Sequence, residues 1–302
     1  MGKKLKKGFK SSWQLYLLLL IPVVYVFIFS YIPMYGATLA FKNFNPMKGI
    51  MGSEWTGLKY FQRFFNSPSF GNILSNTLLL SIENLIFSLP LPILLALALN
   101  ECKSKAVSKT VQMVTYAPYF LSTVIMVSLL MQWFSVNGGL FNNILALFGK
   151  EPVNLFSDAA YFRPTYIISN IWQFTGFNSI IYLAALSSVD VSLYEAAKMD
   201  GASKLKKIWH IDLPSILPTI IILLILNTGQ IMNIGFDKVY LMQTDLNQQA
   251  SEIIATYTYK IGLLDMDFSY STAVGLFNSV VNFILLISVN LLSRKFSETS
   301  LW

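Results

Sequence analysis

Long runs of apolar residues, separated by shorter polar segments, dominate the chain. A helix of about 20 apolar residues crosses a hydrocarbon core of roughly 30 Å, and six runs are close to that length. They lie near Trp13–Tyr35, Ile73–Leu99, Val111–Phe134, Tyr166–Leu186, Ile216–Ile234 and Ala273–Leu292. The pattern predicts an all-α polytopic membrane protein with six transmembrane helices.

The first apolar run follows a cluster of lysines: Lys3, Lys4, Lys6, Lys7 and Lys10. A basic start of this kind is typical of a secretory signal peptide, which ends in a cleavage site of small residues. The run is longer than the apolar part of a signal peptide, and no such cleavage site follows it. We therefore expect a retained first helix behind a basic cytoplasmic tail of residues 1–12.

Composition excludes most other classes of protein. Hydrophobic residues make up 54% of the 302 residues and charged residues only 12%, against about 25% charged in an average soluble domain. A disordered chain, a fibrous repeat and an ordinary cytosolic enzyme are therefore excluded. Cys102 and His210 are each the only residue of their type, so an internal disulfide and a Cys/His metal cluster are excluded too. We predict no catalytic residue, no metal site and no cofactor bound by this chain.

The formal net charge of +7 is explained by membrane topology. Cytoplasmic loops of membrane proteins carry an excess of Lys and Arg. If the N-terminus is cytoplasmic, most of the 22 Lys and Arg residues fall in the short inner segments. The distribution predicts that both termini are cytoplasmic and gives no reason to expect binding to nucleic acid.

Two outer segments are long, at 36–72 and 235–272. Each contains an amphipathic piece, at 57–65 and 251–259, which predicts short helices lying at the membrane surface. Capping of the helix bundle and contact with a partner protein both remain open for them.

The inner segment 190–214, between the fourth and fifth runs, predicts a helix, a turn and a second helix. Asp190 or Ser192 can cap the first helix, and Gly201 supplies a positive φ that ends it. Ser203 can cap the second helix, and Pro214 stands where a membrane helix begins. Small alanines in the first helix would let another protein approach closely.

This segment resembles the EAA loop of ABC importer permeases. The matching residues are Glu195-Ala196-Ala197, then Gly201, then Ile211-x-Leu213-Pro214, with the family's spacing throughout. The resemblance implies a type I ABC importer transmembrane domain whose loop docks in a cleft on the ATPase subunit. The residues expected to couple to the ATPase are Glu195, Ala196, Ala197, Asp200 and Gly201.

The resemblance extends over nearly the whole chain. Segments 33–36, 40–43, 57–61 and 268–277 are similar to the polysaccharide and oligosaccharide permeases of the maltose-type group in Gram-positive bacteria. No G-x-x-x-x-G-K-[ST] motif is present, so ATP and Mg²⁺ would bind a separate subunit. The resemblance implies a second permease chain, two copies of an ABC ATPase and an extracellular solute-binding lipoprotein. It also implies an oligosaccharide substrate.

The expected organisation has four parts. Residues 1–12 form the basic tail, and 13–72 hold the first transmembrane helix and outer loop. Residues 73–292 form the core permease domain with the loop 190–214, and 293–302 form a second cytoplasmic tail.

Polar and aromatic side chains at helical spacing indicate a sugar path through the inner spans. Asn170, Phe174 and Phe177 share one helical face with Asn178, and equivalent places contact sugar in the maltose-type permeases. Hydrogen bonds between helices would account for the same amides, so both interpretations stay open. The predicted path consists of Tyr119, Thr123, Asn170, Gln173, Phe174, Phe177, Asn227, Gln230 and Ile231.

Glu83 is the only acid deep within a predicted span, and no Lys or Arg lies within these runs. Two interpretations are open: a proton or cation relay, and a carboxyl hydrogen-bonded near Asn84 that packs helices. We favour the second, because no other acid continues a relay.

Three alternatives to an oligosaccharide importer remain: an importer for another solute such as a peptide or phosphate, an intramembrane enzyme, and a non-transporting scaffold.

Overall fold

The computed structural model describes residues 12–296, so nearly all of the basic tail and residues 297–302 of the second tail lie outside the described residues. Four of the described helices are long and apolar enough to cross a membrane. The number rises to six if each of two bent helix pairs is counted as one span. The prediction of an all-α membrane protein is confirmed.

The chain divides into two compact units. In the described part, the first unit comprises residues 12–67 and 258–277. Its helices are α1 (Trp13–Val26), α2 (Ile32–Met34), α3 (Gly49–Gly52) and α4 (Lys59–Phe65), with a π-helical turn at Phe27–Tyr31 and a 3₁₀ helix at Tyr35–Phe41. Strands β1 (Lys42–Asn43) and β2 (Glu54–Trp55) pair antiparallel, with Lys42 opposite Trp55.

The second unit comprises residues 68–257 and 278–296 of the described chain. Its α-helices are α5 (Phe70–Ser88), α6 (Pro90–Asn100), α7 (Lys105–Tyr116), α8 (Thr123–Trp133), α9 (Leu140–Leu147), α10 (Ala159–Ser187), α11 (Val191–Met199), α12 (Lys204–Lys207), α13 (Leu213–Thr228), α14 (Phe236–Met242) and α15 (Gln248–Ser251). Two helices run from one unit into the other: α16 (Ile254–Tyr259) and α17 (Phe268–Phe296).

Aromatic packing and one ion pair hold the first unit together. Arg63 donates to Asp267 at 2.6 Å, and its guanidinium lies 4.1 Å from the centre of the Tyr270 ring. The rings of Phe64 and Phe277 meet edge to face at 5.5 Å. These contacts join the amphipathic helix α4 to the segment that starts α17.

The predicted short helices at 57–65 and 251–259 are present, as α4 and as α15 with α16.

Proline explains two π-helical turns. The turn at Phe27–Tyr31 directly precedes the short helix that contains Pro33, and the turn at Ile208–Asp212 precedes Pro214. A proline inside a helix lacks an N–H and clashes with the carbonyl four residues earlier. A π turn widens the helix at that point, so both helices continue through their prolines.

The third predicted span, at 111–134, corresponds to a bent pair of helices. Helix α7 with its 3₁₀ extension Ala117–Phe120 is bent by 99° against α8, across Leu121–Ser122. The hydroxyl of Ser122 accepts a hydrogen bond from the N–H of Ile125 at 3.3 Å, which starts a new helix. Tyr119 and Thr123 therefore do not share a helical face. A continuous apolar run carries no signal for this break, whereas the serine cap does.

The fifth span also differs from its prediction. One continuous helix covers Lys204–Thr228, instead of a separate short helix followed by a span at 216–234. The 3₁₀ turn Ile231–Asn233 and helix α14 follow its end. The second span is a single helix over Phe70–Asn100, with α5 ending at Ser88 and α6 starting at Pro90.

Two apolar clusters form the core of the second unit. The larger joins α5, α8, α10 and α14 through residues that include Leu80, Val127, Phe162 and Val239. The smaller joins α6, α10 and α13 through Ala96, Leu97, Tyr182, Leu186 and Ile216. Helix α10 contributes to both clusters, so it is the central element against which the other helices of this unit pack.

Candidate functional site

A cavity of about 460 Å³ lies beside α10 in the second unit. Its walls come from α5, α6, α8, α10, α13 and α14. A volume of this size is typical of small-molecule sites, about 300–1,000 Å³. Seven residues of the predicted sugar path line it: Thr123, Asn170, Gln173, Phe174, Asn227, Gln230 and Ile231.

The polar side chains of the cavity fall into two groups. Asn170 donates to Asn84 at 2.9 Å, and Gln173 donates to the carbonyl of Leu121 at 3.0 Å, within the break between α7 and α8. Both amides are therefore hydrogen-bonded within the protein. This agrees with the interpretation in which such amides bond to neighbouring parts of the helix bundle. Asn178 and Asn227 are exposed to the cavity, and neither has a side-chain hydrogen bond to the residues that the structure describes.

Tyr119 and Phe177 are not among the residues that line the cavity. Their rings stack on each other with centres 3.6 Å apart and planes 2° apart. Phe174, which does line the cavity, meets Tyr119 edge to face at 5.9 Å. Tyr119 therefore packs against the cavity-lining Phe174, and its stack with Phe177 holds the 3₁₀ helix Ala117–Phe120 against α10.

Sequence reasoning missed a polar stripe on the second span. Ser81, Asn84 and Ser88 line the cavity from α5. Their spacing of three and four residues places them on one helical face, within an otherwise apolar run. The hydroxyl of Ser81 also donates to the carbonyl of Ile231. The spacing was available in the sequence and could have identified this wall.

Glu83 has a basic partner in the fourth span. Helix α10 starts at Ala159, seven residues before the predicted span, and therefore includes Arg163. The Arg163 guanidinium lies 3.8 Å from the Glu83 carboxylate and donates to Asn76 at 3.0 Å. Asn84 bonds to Asn170 and Ser88 instead. The geometry favours a structural role for Glu83.

Replacement of Arg163 by methionine is expected to destabilise the protein by about 1–3 kcal/mol, since it leaves a carboxylate without a partner inside a helix bundle. The measurement is thermal unfolding of the purified protein in detergent. The double variant Arg163→Met, Glu83→Gln should recover part of the loss. Lys204→Met is the matched control, because Lys204 lies at the same 3.8 Å from Glu101 but is 61% exposed. Equal losses in both single variants would contradict this assignment.

The predicted coupling loop forms a capped helix, α11, bent by 73° from α10. Asp190 caps its start by accepting from the N–H of Ser192 at 2.9 Å. At its end Gly201 has a φ of +68°, and two N–H groups turn back to the helix: Gly201 to Lys198 at 3.2 Å and Ala202 to Ala197 at 2.9 Å. This is a Schellman motif, and it confirms the predicted caps and turn.

The helix α11 presents most of the predicted coupling residues outward. Glu195, Ala196, Asp200 and Gly201 are exposed, and Ala197 is half-buried. Behind them, Tyr194 donates to the buried Asp212 at 2.5 Å. This bond ties α11 to the base of the next transmembrane helix.

A second link joins Glu101, which follows α6, to the lysines of α12. Lys207 lies 2.8 Å from the Glu101 carboxylate, at the end of α6. Lys204 lies 3.8 Å from the same carboxylate. Glu101 is therefore shared by two lysines of α12, and the end of the second span is linked to the helix over Lys204–Thr228.

Comparisons with known proteins agree with this architecture. A family model described as binding-protein-dependent transport system inner membrane component matches residues 88–298. The polygalacturonan/rhamnogalacturonan transport system permease protein YteP of Bacillus subtilis is 46% identical over 288 residues, which cover 95% of this chain and 90% of that protein. Protein LplB of the same organism is 43% identical over 293 residues, 97% of this chain and 92% of that protein.

A solved structure has the same fold. It is a bacterial ABC transporter involved in the import of the acidic polysaccharide alginate, and one of its chains superposes with a TM-score of 0.91 at 39% identity. The match covers 97% of this chain and 99% of that one. The matched family consists of transport components, which confirms the expectation of a permease rather than an enzyme. This chain belongs to the family of inner-membrane components of binding-protein-dependent transport systems.

Proposed function

We propose that the chain is one of two permease subunits of an ATP-driven ABC importer that takes up an oligosaccharide or a polysaccharide fragment. The observation that carries the proposal is the cavity beside α10. Seven of the nine residues predicted for a sugar path line it, although they come from three separate stretches of the sequence.

The chemistry of the cavity suits a carbohydrate. Free amides such as Asn178 and Asn227 can donate to and accept from sugar hydroxyls, and Phe174 offers an apolar surface to a ring. The names of two similar proteins, which transport polygalacturonan and alginate, support the same solute class. The cavity wall consists mainly of neutral amides, hydroxyls and apolar groups, with Asp237 and Lys238 as its charged residues.

The proposed mechanism is alternating access. A loaded extracellular binding lipoprotein docks outside, and ATP closes a dimer of two ATPase copies inside the cell. Helix α11 sits in a cleft of one ATPase copy, where the exposed Glu195 and Ala196 contact it. The movement passes through the Tyr194–Asp212 hydrogen bond to the helix that starts at Lys204. The second permease chain completes the path, and ATP and Mg²⁺ bind only the ATPase.

The proposed topology follows from the same assignment. Helix α11 faces the cytoplasm if it binds an ATPase, and six spans then place both termini on the cytoplasmic side. Residues 1–12 and 293–302 are the cytoplasmic tails, 13–72 the first span with its outer loop, and 73–292 the core permease domain. No part of this proposal assigns a charge or length to the sugar.

Affinity purification from the native host in mild detergent is expected to recover an ABC ATPase, a second permease and a binding lipoprotein, identified by mass spectrometry. A site-specific version uses Glu195→Cys in a Cys102→Ser background, carrying a short photo-crosslinker. This position should crosslink to the ATPase. The matched control is Lys150→Cys, an exposed position on a different loop, which should not.

Two results would overturn the proposal. Recovery of the chain alone, even after crosslinking in intact membranes, would favour a non-transporting scaffold. Recovery of the complex with a lipoprotein that binds a peptide or phosphate but no carbohydrate would retain the importer and reject the sugar.

A further inference from the structure

A lysine side chain in the wall of the cavity has no charged partner. Lys238 lines the cavity from α14 and is only 5% exposed. Its Nζ is buried and has no hydrogen-bond partner among the residues that the structure describes. An ammonium group in such a place is unfavourable unless an anion or several acceptors reach it.

The surroundings of Lys238 compensate its charge only in part. The Tyr166 ring centre lies 5.3 Å from Nζ, within the range of a cation–π interaction. Asp237 also lines the cavity, but no carboxylate of the described chain lies within ion-pair distance of Nζ. Glu83, the acid within the nearby span, is paired with Arg163. Burial lowers the pKa of Lys238 to about 7.

We propose that Lys238 binds a carboxylate of the transported solute, so that this cavity recognises an acidic oligosaccharide with uronate units. The inference rests on the proposed function and adds the charge of the substrate to it. Lysine has a flexible four-carbon stem with three donors at its end. Rotation about its side-chain bonds would bring Nζ into the cavity, where a carboxylate would supply the missing partner.

The rest of the cavity favours a uronate over a simple anion. The amides of Asn178 and Asn227 and the ring of Phe174 line the same cavity, and these groups suit the hydroxyls and the apolar faces of sugar rings. One ammonium matches one carboxylate. The nearby Asp237 disfavours a dianion such as phosphate, because like charges in one cavity repel.

The test measures uptake in native-host cells whose chromosomal copy carries each variant. The probes are labelled oligogalacturonates and oligoalginates, with their methyl-esterified forms as neutral counterparts. Lys238→Met is expected to reduce uptake of the acidic probe by roughly tenfold or more, the loss typical of a hydrogen bond to a charged group. Lys238→Arg, which keeps the charge, should restore a large part of it. Lys150→Met is the matched control and should transport normally, since Lys150 is exposed on a loop.

Membrane levels of each variant are measured by immunoblot, and uptake is expressed per molecule, so that poor folding is not read as lost recognition. Four outcomes contradict the inference. The first two are normal uptake of the acidic probe by Lys238→Met and failure of Lys238→Arg to restore that uptake. The others are an equal loss of acidic and esterified probes in Lys238→Met, and uptake of neutral probes only by the wild type. In the last case the proposed importer of carbohydrates still stands. If wild-type cells take up no carbohydrate of either kind, the proposed function itself fails.

Discussion

Replacement of Gly201 by valine is expected to reduce solute uptake by roughly fivefold to thirtyfold while the chain still reaches the membrane. Gly201 has a φ of +68° at the end of α11. In this left-handed conformation a residue with a Cβ costs about 1–2 kcal/mol, and a β-branched residue costs more. The Schellman hydrogen bonds would open, and the end of the helix that meets the ATPase would lose its shape. Uptake per membrane-inserted molecule is the measurement.

The chain offers a matched control for this variant. Gly149 has a φ of +67° and ends α9 with the same hydrogen-bond pattern: Gly149 to Ala146 at 3.0 Å and Lys150 to Leu145 at 3.1 Å. Gly149→Val therefore introduces the same backbone strain away from the proposed ATPase contact and should leave most uptake intact. Gly201→Asn should be tolerated, since asparagine enters the left-handed region more easily. Equal losses at Gly149 and Gly201 would remove the argument for a special role of this loop.

Replacement of Gly176 by alanine is expected to destabilise the protein severely. Gly176 is buried in α10, and a Cβ built there would overlap the carbonyl oxygen of Thr115 in α7. The obstacle is backbone, so it cannot move aside as a side chain could, and the two helices must separate. Overpacking of a well-packed core costs typically 1–3 kcal/mol, and we expect the upper part of that range or beyond. Thermal unfolding in detergent and the yield of monodisperse protein measure the effect.

The matched control for Gly176 is Gly71, near the start of α5. An added Cβ at Gly71 meets nothing within 4 Å, and alanine has the higher helix propensity. Gly71→Ala should therefore be neutral or slightly stabilising. A Gly176→Ala protein as stable as the Gly71→Ala protein would mean that α7 and α10 are not held as closely as described.

The coupling loop was predictable in detail because its signals are local. A cap is decided by a side chain and an N–H two or three residues away, and Asp190 and Ser203 both act as predicted. The glycine turn is likewise decided by one residue's lack of a Cβ. The tie between Tyr194 and Asp212 was not predictable, because those residues are far apart in sequence and one is in the next helix.

The cavity was predictable in part. Five polar residues in apolar helices, together with Phe174 and Ile231, marked seven of its lining positions. The spacing could not separate residues that face a solute from those that bond to a neighbouring helix. Asn170 and Asn227 look alike in sequence. Only the structure shows that Asn170 donates to Asn84, whereas Asn227 has no such partner in the described chain.

The sequence by itself determined the membrane class, the six apolar runs, the capped loop and the family resemblance, since each rests on hydrophobicity or on contacts a few residues apart. The tertiary structure decided that Arg163 meets Glu83, and that Lys238 is buried in the cavity wall without an ion partner among the described residues. Those features depend on contacts between helices that are far apart in the sequence. The packing of all the helices in the unit decides which of them meet, and no local pattern of residues contains that information.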